Sequence, residues 1–326
     1  MIRSRIIGTG SFLPPKVVTN FDLEKIMDTT DAWIQQRTGI KQRHIAEPGV
    51  GAADLGAPAA RAALDAAGVR PEDIELIVCG TTSPDYLFPN TSCLIQHQIG
   101  ATRSAAMDVN AACSGFMYAL STANAYVRAG VYKTVLVVGA EVLTYLLNWD
   151  KRDTAVLFGD GAGAVVLRAE KGEHGILTTH LGADGGAKDI LWMEAGGSKC
   201  KVTAENVDGP ERDVRMKGTD LFKRAVVVFG EAAQKALEAT NMTVADIDLF
   251  IPHQANTRII YTAAERLGLD REKVFVNIDH VANTTAASIP IAIDEALRTG
   301  RIHGGDIIML AGFGAGLTWG SVLLRW

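Results

Sequence analysis

The chain repeats part of its own sequence at an interval of 173 residues. Residues 63–78 read ALDAAGVRPEDIELIV, and residues 236–251 read ALEATNMTVADIDLFI. Each copy has the pattern of a helix end, a turn and a buried strand, because helically spaced apolar residues give way to turn residues and then to a short apolar run. A duplicated helix–strand unit constrains the fold strongly, since each copy must bury its own sheet.

Two more blocks recur in the same order. Residues 113–130 parallel 283–300 at an offset of 170, and the Gly-rich stretch 159–167 resembles 312–324. The three blocks predict two α/β halves, over 1–172 and 173–326, with largely buried sheets covered by helices. We expect the halves to pack about a pseudo-twofold axis, with a functional site between them.

Composition and charge exclude several classes of protein. The 326 residues are 48% hydrophobic and 21% charged, which is typical of a globular protein and not of a disordered chain. The formal net charge of −5 offers no general attraction for nucleic acid or anionic lipid. No apolar run approaches the roughly 18 residues of a membrane span, and the N-terminus has no signal-peptide pattern. We therefore expect a cytoplasmic protein with no nucleic-acid partner and no membrane span.

The four cysteines form neither a metal-binding nor a disulfide pattern. They are Cys79, Cys93, Cys113 and Cys200, and the absence of CxxC spacing predicts no metal site. Cys113 follows a strand end and precedes a helix with apolar residues from Phe116 to Val127. A helix N-terminus favours the thiolate, so this position predicts a lowered pKa and a nucleophile. The alternative, a buried small hydrophobe, fits Cys79 and Cys93 well.

A histidine and an asparagine in the second half could act with Cys113. His253 follows the end of a predicted strand, where α/β sheets collect functional groups. Asn283 occupies the position that the repeat assigns to Cys113, which would bring both helix starts to the axis. A thiolate can take an acyl group from a thioester, while neutral His and Asn side chains donate hydrogen bonds to a second thioester as it becomes an enolate. The alternatives are a structural histidine and an ordinary helix cap.

Two other functions fit parts of the pattern. The sequence GDGAGA at 159–164 formally fits a dinucleotide-binding fingerprint, but a strand-like run follows it where that fingerprint needs a helix. The order Cys113, His253, Asn283 also suits a papain-like cysteine hydrolase. The chain lacks the signature around the nucleophile of that family, and a duplicated α/β chain does not suit it.

Six motifs together resemble β-ketoacyl-acyl-carrier-protein synthase III, a condensing enzyme that starts fatty acid synthesis. They are DAWIQQRTGI at 31–40, ACSGF at 112–116, FGDGAG at 158–163, PHQAN at 252–256, NT at 283–284, and GFG at 312–314 before TWG at 318–320. The resemblance runs from residue 6 to the C-terminus. It implies the thiolase-like fold, an internally duplicated five-layered α-β-α-β-α arrangement with two mixed sheets.

The resemblance also implies a reaction. Cys113 would accept the acyl group of acetyl-CoA or a longer or branched acyl-CoA, and His253 with Asn283 would promote decarboxylation of malonyl-acyl-carrier protein. The products would be 3-oxoacyl-acyl-carrier protein, CoA and CO2, with no cofactor beyond the CoA thioester substrate. The protein would be a homodimer.

Further residues take roles through the same resemblance. Phe313 would lie beside the nucleophile, and the amides of Cys113 and Ala315 would form an oxyanion hole. The CoA-binding residues would be Thr29, Trp33, Arg37, Arg152, Gly218 and Asn256. The acyl pocket would contain Leu143, Phe222 and, from the dimer partner, Phe88. Carrier-protein docking would involve Gln254 and Arg258, with Lys217, Lys223 and Arg224 extending a basic patch on a net-acidic protein.

The chain departs from the family pattern at four positions. Ala282 and Asp153 stand where the family has Gly, Ala315 interrupts a triple-Gly turn, and Leu317 replaces Phe. These departures leave the acyl chain length open. A condensing enzyme of secondary metabolism, or a non-catalytic protein that binds CoA or carrier protein, would share the same motifs.

Overall fold

The computed structural model describes all of residues 1–326 as thirteen strands and ten α-helices. The strands are β1 (Ile2–Phe12), β2 (Val17–Thr19), β3 (Gln42–His44), β4 (Leu76–Gly80), β5 (Ala105–Val109), β6 (Thr134–Glu141), β7 (Gly161–Lys171), β8 (Gly175–Ala183), β9 (Leu191–Trp192), β10 (Arg215–Met216), β11 (Leu249–Pro252), β12 (Ile307–Gly314) and β13 (Thr318–Arg325). The helices are α1 (Asn20–Leu23), α2 (Asp31–Thr38), α3 (Ala52–Ala67), α4 (Thr91–Ile99), α5 (Gly115–Arg128), α6 (Arg152–Ala155), α7 (Gly218–Thr240), α8 (Thr257–Leu267), α9 (Ile278–Val281) and α10 (Ser288–Arg298). None of these helices has the length and apolarity that crossing a bilayer requires.

Two sheets share one strand order. The first is β1-β7-β6-β4-β5 and the second is β8-β13-β12-β11. In each sheet the first three strands are antiparallel neighbours and the next pair, β6–β4 or β12–β11, is parallel. A parallel bridge from Phe250 to Val274 stands where β5 lies in the first sheet. The duplication is therefore present in strand order and direction, whereas the division into two units at residue 172 stays a prediction.

The sheets and helices stack in five layers. Helices α3 and α4 cover the outer face of the first sheet, α5 and α10 lie between the sheets, and α7 and α8 cover the second sheet. Strand β6 shows how the sequence produces this arrangement, since Val135 and Val137 pack toward the central helices while Leu136 and Val138 pack toward α3. A strand alternates its faces, so an apolar run is required when both faces are covered. The predicted α/β five-layered fold is confirmed.

Two sharp turns meet at the centre of the molecule. Ala112 and Thr285 both have φ of 48°, and each starts a 3₁₀ turn, Ala112–Ser114 or Thr285–Ala287, that leads into α5 or α10. The turns are equivalent at an offset of 173, so the partner of Cys113 is Ala286. The predicted equivalence of Cys113 and Asn283 is wrong by three residues, because the backbone turn and not a polar helix start is the repeated feature.

Glycines in the strands allow the turns to approach the sheet. A Cβ atom on Gly80 in β4 would lie 2.6 Å from the carbonyl carbon of Gly115, and one on Gly139 in β6 would lie 2.5 Å from Ala286 O. Any side chain at these two positions would push the turns away. The two helix starts are thereby held against the first sheet.

Candidate active site

One cavity of about 610 Å³ collects the three residues that the sequence singled out. Cys113 comes from the first 3₁₀ turn, His253 follows β11, and Asn283 follows α9. Phe313 in β12 lines the same cavity. No group of three or more His, Cys, Asp or Glu side chains is placed to hold a metal ion.

Cys113 is a buried thiol and not a free thiolate. The residue is 8% exposed. Burial, with a smaller contribution from the nearby Glu141 carboxyl group, raises the pKa of its thiol to about 12. The prediction of a lowered pKa from the helix N-terminus is wrong, because removal from water disfavours the anion more strongly. The thiol is therefore protonated near neutral pH in the resting protein.

His253 is a neutral imidazole. The residue is 1% exposed, and burial lowers its pKa to about 3. Its Nδ1 lies 2.6 Å from Ser288 Oγ, and its ring packs against that of Phe313 with centroids 6.2 Å apart. Nε2 has no hydrogen-bond partner in the protein, and it is not among the polar atoms sealed from solvent. One nitrogen is thus anchored, and the other is available to a ligand in the cavity.

Asn283, like His253, is anchored at one side and has a free nitrogen in its side chain. The backbone N–H of Asn283 donates to Leu157 O at 3.0 Å, and its backbone carbonyl accepts from Gly159 N–H at 3.1 Å. Its side-chain Oδ1 accepts from Thr285 N–H at 2.9 Å, which leaves Nδ2 without a protein partner. Because the carbonyl end of the amide is occupied, the end that is left for a ligand is a donor.

The Gly-rich turn after β12 lies against the nucleophile. A Cβ atom on Gly314 would lie 2.6 Å from Cys113 N, so no side chain fits there. Thr318 Oγ1 lies 2.8 Å from Ala111 O and 3.0 Å from Ala315 O, and Ser114 Oγ lies 2.7 Å from Thr318 Oγ1. Ala315 is not among the residues with positive φ, so its methyl group introduces no left-handed strain. Its part in an oxyanion hole stays a prediction.

Two guanidinium groups lie over one aromatic ring near the cavity. Trp33 and Arg37 line the cavity, whereas Arg152 lines a separate, smaller pocket. The ring of Trp33 is 4.5 Å from Arg37 Cζ and 4.9 Å from Arg152 Cζ. Asn256 caps α8 by accepting from Arg258 N–H at 2.8 Å, and its Nδ2 donates to Arg37 O at 2.8 Å. An aromatic ring beside two guanidinium groups combines stacking capacity with positive charge, which suits a base and its phosphates.

Two further predicted CoA-binding residues, Gly218 and Thr29, differ in their position relative to the cavity. Gly218 lines the cavity where α7 begins, whereas Thr29 does not line it. Asp153 also lines the cavity, and its carboxylate has no hydrogen-bond or ion-pair partner.

The predicted acyl-pocket residues occupy three different environments. Phe222 lines the cavity. Leu143 is buried and packs with Leu147 and Phe158, of which Phe158 lines the cavity. Phe88 is 86% exposed, next to the exposed Leu87, and contributes nothing to the cavity of its own chain.

Of the two predicted docking residues, Arg258 is exposed and Gln254 is buried. Arg258 is exposed, with its guanidinium 5.7 Å from the centre of the Phe222 ring at the cavity mouth. Gln254 is fully buried: its Nε2 donates to Pro252 O and Phe275 O, and its Oε1 accepts from Asn277 N–H. The prediction that Gln254 contacts a carrier protein is therefore wrong, because its side chain is closed to solvent and hydrogen-bonded inside the fold.

The neighbouring basic patch is smaller than predicted. Lys217 pairs with Asp189 at 2.5 Å and Arg224 with Asp184 at 2.8 Å. Lys223 lines the cavity mouth without an ion-pair partner. Of the four basic residues Lys217, Lys223, Arg224 and Arg258, only Lys223 and Arg258 therefore have no ion-pair partner.

Two buried polar residues near the site were missed by the sequence analysis. Ser288 begins α10 and contacts His253. Glu141 ends β6, is fully buried, and accepts from Ser83 Oγ at 2.5 Å and from the N–H groups of Thr82 and Ser83 at 3.1 Å. A carboxylate that ends an apolar strand is a signal that could have indicated Glu141, whereas nothing local distinguishes Ser288 from an ordinary helix start.

Comparison with known proteins gives consistent results over the whole chain. Residues 107–185 match the family 3-Oxoacyl-[acyl-carrier-protein (ACP)] synthase III, and residues 237–326 match its C-terminal family. The β-ketoacyl-[acyl-carrier-protein] synthase III of Xanthomonas oryzae pv. oryzae is 52% identical over 325 residues, covering 100% of this chain and 99% of that protein.

Solved structures agree with the sequence relatives. The 3-oxoacyl-[acyl-carrier-protein] synthase III of Aquifex aeolicus superposes with a TM-score of 0.92 at 46% identity, covering 99% of this chain and 100% of that one. The priming β-ketosynthase of a polyketide biosynthetic pathway superposes with a TM-score of 0.91 at 37% identity, covering 99% and 96%.

Proposed function

The chain belongs to the family of β-ketoacyl-[acyl-carrier-protein] synthase III, and on that basis we propose that it condenses an acyl-CoA primer with malonyl-acyl-carrier protein. The products are 3-oxoacyl-acyl-carrier protein, CoA and CO2. One observation carries the proposal: the thiol of Cys113, an imidazole nitrogen of His253 and the amide NH2 of Asn283 line a single cavity, and neither nitrogen has a partner in the protein. A nucleophile and a pair of neutral donors are what the two half-reactions require.

The first half-reaction is acyl transfer to Cys113. The sulfur attacks the acyl-CoA carbonyl carbon, the C–S bond to CoA breaks, and CoA leaves as a thiol that carries the proton which Cys113 has lost. The thiol of Cys113 is the resting form, so its deprotonation belongs to this step. Backbone N–H groups of the turns around Cys113 and Ala315 hold the carbonyl oxygen as it gains negative charge.

The second half-reaction is decarboxylation followed by carbon–carbon bond formation. The bond from the malonyl carboxylate to its α-carbon breaks, CO2 leaves, and the electron pair delocalises onto the thioester oxygen. His253 Nε2–H and Asn283 Nδ2–H stabilise that enolate oxygen. The α-carbon then attacks the acyl carbon on Cys113, whose sulfur is the leaving group.

The substrates enter from the mouth with Trp33 and Arg258. The adenine of CoA binds at Trp33 and Arg152, with Arg37 alongside, and the acidic carrier protein docks at Arg258 and Lys223. The reaction needs no cofactor, because both electrophile and carbanion come from the thioesters. The protein acts in the cytoplasm, without a nucleic-acid partner.

The protein acts as a homodimer. Tyr86, Leu87 and Phe88 form an exposed apolar loop tip that a monomer would leave in water. Twofold dimers are the commonest soluble oligomers, and in such a dimer Phe88 closes the acyl pocket of the partner.

A thiol-acylation experiment tests the proposal. The protein is incubated with acetyl-CoA and with longer and branched acyl-CoAs, and the mass gain is mapped to a peptide. We expect label on Cys113, absence of label in Cys113→Ala, and unchanged labelling in the control Cys93→Ala. Cys93 suits this control because it is an exposed thiol, and the expectation that it is buried is wrong. Addition of malonyl-acyl-carrier protein should release the label as 3-oxoacyl-carrier protein. Binding of CoA without label on Cys113 would instead indicate a non-catalytic binder.

The same experiment addresses a second candidate, a priming condensing enzyme of secondary metabolism. The 37% identity to a polyketide priming β-ketosynthase supports this candidate, and Cys113, His253 and Asn283 would serve it in the same way. The two differ in the acyl group and in the carrier protein that they use. Rates measured with carrier proteins of the two kinds of pathway distinguish them.

A further inference from the structure

A buried serine forms the only side-chain hydrogen bond to the His253 ring. Ser288 Oγ lies 2.6 Å from His253 Nδ1 and 3.4 Å from the backbone nitrogen of Gln254. Both residues are buried, with exposed fractions of 0% for Ser288 and 1% for His253. Ser288 is also the first residue of α10, five residues after Asn283, so one short segment supplies both the second donor and this contact.

The two contacts of Ser288 decide the direction of its hydrogen bonds. A hydroxyl group has one proton to donate and two lone pairs. The Gln254 N–H can only donate, so it takes a lone pair of Oγ. If Nδ1–H also donated to Oγ, the serine proton would be left buried without an acceptor, which is unfavourable. In the arrangement that gives every buried donor an acceptor, the serine O–H donates to an unprotonated Nδ1.

This arrangement fixes the proton of the ring on Nε2. A neutral imidazole carries one proton, so a ring with an unprotonated Nδ1 carries it on Nε2. Nε2 is the nitrogen without a protein partner, and it is the one available to the cavity. A carboxylate in place of the hydroxyl would require Nδ1–H and would favour the imidazolium cation.

We propose that Ser288 is a positioning residue that holds His253 in the Nε2–H tautomer, so that the ring presents a hydrogen-bond donor to the thioester oxygen of the malonyl substrate. The proposal rests on the proposed function for its consequence in catalysis. The tautomer itself is a property of the free protein, and it can be measured without any substrate.

The first test is NMR of the full chain labelled with ¹⁵N-histidine. The His253 signals are assigned by their loss in His253→Ala. We expect long-range ¹H–¹⁵N correlations of a neutral ring protonated at Nε2 in the wild type, and a mixture of tautomers in Ser288→Ala. A wild-type ring protonated at Nδ1, or the same pure Nε2–H tautomer in Ser288→Ala, would overturn the proposal.

The second test separates the two half-reactions. Ser288→Ala should slow malonyl decarboxylation about 10- to 100-fold, a smaller loss than removal of a whole oxyanion donor, and should leave acylation of Cys113 by acyl-CoA close to the wild-type rate. Ser288→Thr keeps the hydroxyl group and should recover most of the decarboxylation rate.

Ser121→Ala is the matched control, since Ser121 is a buried serine of α5 whose hydroxyl has no partner. It should change neither half-reaction. Equal losses of acylation and decarboxylation in Ser288→Ala would contradict the positioning role. A wild-type protein that does not condense at all would refute the proposed function, while the NMR result would still decide the tautomer.

Discussion

At the scale of single residues, burial sets the protonation states of Cys113 and His253. The same loss of hydration raises the pKa of the thiol to about 12 and lowers that of the imidazole to about 3. Both groups are therefore neutral at rest, since burial disfavours whichever form is charged. A cysteine hydrolase of the papain type needs a thiolate beside a histidine cation. The neutral pair suits a site whose histidine donates a hydrogen bond to an enolate.

The pKa of Cys113 predicts its reactivity toward a neutral alkylating agent. The rate of carbamidomethylation by iodoacetamide should still be rising at pH 10, because the thiolate fraction grows about tenfold per pH unit below the pKa. Peptide mass spectrometry measures the rate at Cys113, with circular dichroism confirming that the protein stays folded. A rate that reaches its plateau by pH 8 would instead support the lowered pKa expected from the helix N-terminus.

Ala282 holds a backbone conformation that suits glycine. Its φ is 61° and its ψ is −164°, immediately before Asn283. Such a conformation costs a non-Gly residue about 1–3 kcal/mol. We expect Ala282→Gly to raise the free energy of unfolding by up to about 1.5 kcal/mol. Loss of one buried methyl group offsets about 0.8 kcal/mol of the relief, and the flexibility that glycine adds to the unfolded chain offsets about 0.5–1 kcal/mol more.

Ala287 supplies the control for this change. It is a buried alanine of the same segment with a φ of −76°. Ala287→Gly should lower the free energy of unfolding by about 1–2 kcal/mol, because it loses the methyl group and gains chain flexibility. Urea denaturation measures both variants, and equal destabilisation would show that Ala282 is not strained.

At the scale of elements, polar contacts to α10 hold the short helix α9 in place. Helix α9 has four residues and lies directly before Ala282 and Asn283. His280 in α9 contacts Asp279 Oδ1 at 2.9 Å and Glu295 in α10 at 3.1 Å. The hydrogen bond to Glu295 is the main cause that raises the pKa of His280 to about 9. The position of Asn283 therefore depends on a charged link between α9 and α10.

The raised pKa of His280 predicts a pH-dependent contribution to stability. The folded protein binds the proton more tightly than the unfolded chain, so the contribution is fully present below about pH 6.5 and is lost as the pH rises through about 9. His280→Gln should lower the free energy of unfolding at pH 6 by up to about 1 kcal/mol, since the side chain is partly exposed, and should have little effect at pH 10. Urea denaturation at both pH values checks this. The same deficit at pH 6 and pH 10 would indicate a packing effect and no charged link.

At the scale of the whole molecule, local charge opposes net charge. The chain carries a formal net charge of −5, while Arg258 and Lys223 are unpaired at the cavity mouth. The net negative charge of the molecule repels an acidic carrier protein, whereas Arg258 and Lys223 attract it to the cavity mouth. Such a distribution favours docking in one orientation and makes association sensitive to salt.

Charge reversal at the cavity mouth should affect the two substrates differently. Arg258→Glu should raise the KM for malonyl-acyl-carrier protein about tenfold or more at low salt, with a much smaller effect on acylation by acyl-CoA. Arg266→Glu is the control, because Arg266 is an exposed arginine in the last turn of the same helix. Steady-state kinetics at two salt concentrations check the expectation. Equal losses in both half-reactions would assign Arg258 to the CoA channel or to folding.

The sequence by itself determined the duplicated α/β fold, the family and the chemical groups of the site. Repeats and motifs are local patterns, so aligned strands and the positions of Cys113, His253 and Asn283 can be recognised without coordinates. Only the tertiary structure decided that Ala286 is the residue equivalent to Cys113 in the internal repeat, that Gln254 is buried, and that Ser288 contacts His253. It also reversed the expected pKa of Cys113. These properties depend on which segments surround a side chain in the folded protein. Burial, and contacts between residues far apart in the chain, such as His253 and Ser288 at a separation of 35 residues, leave no local pattern.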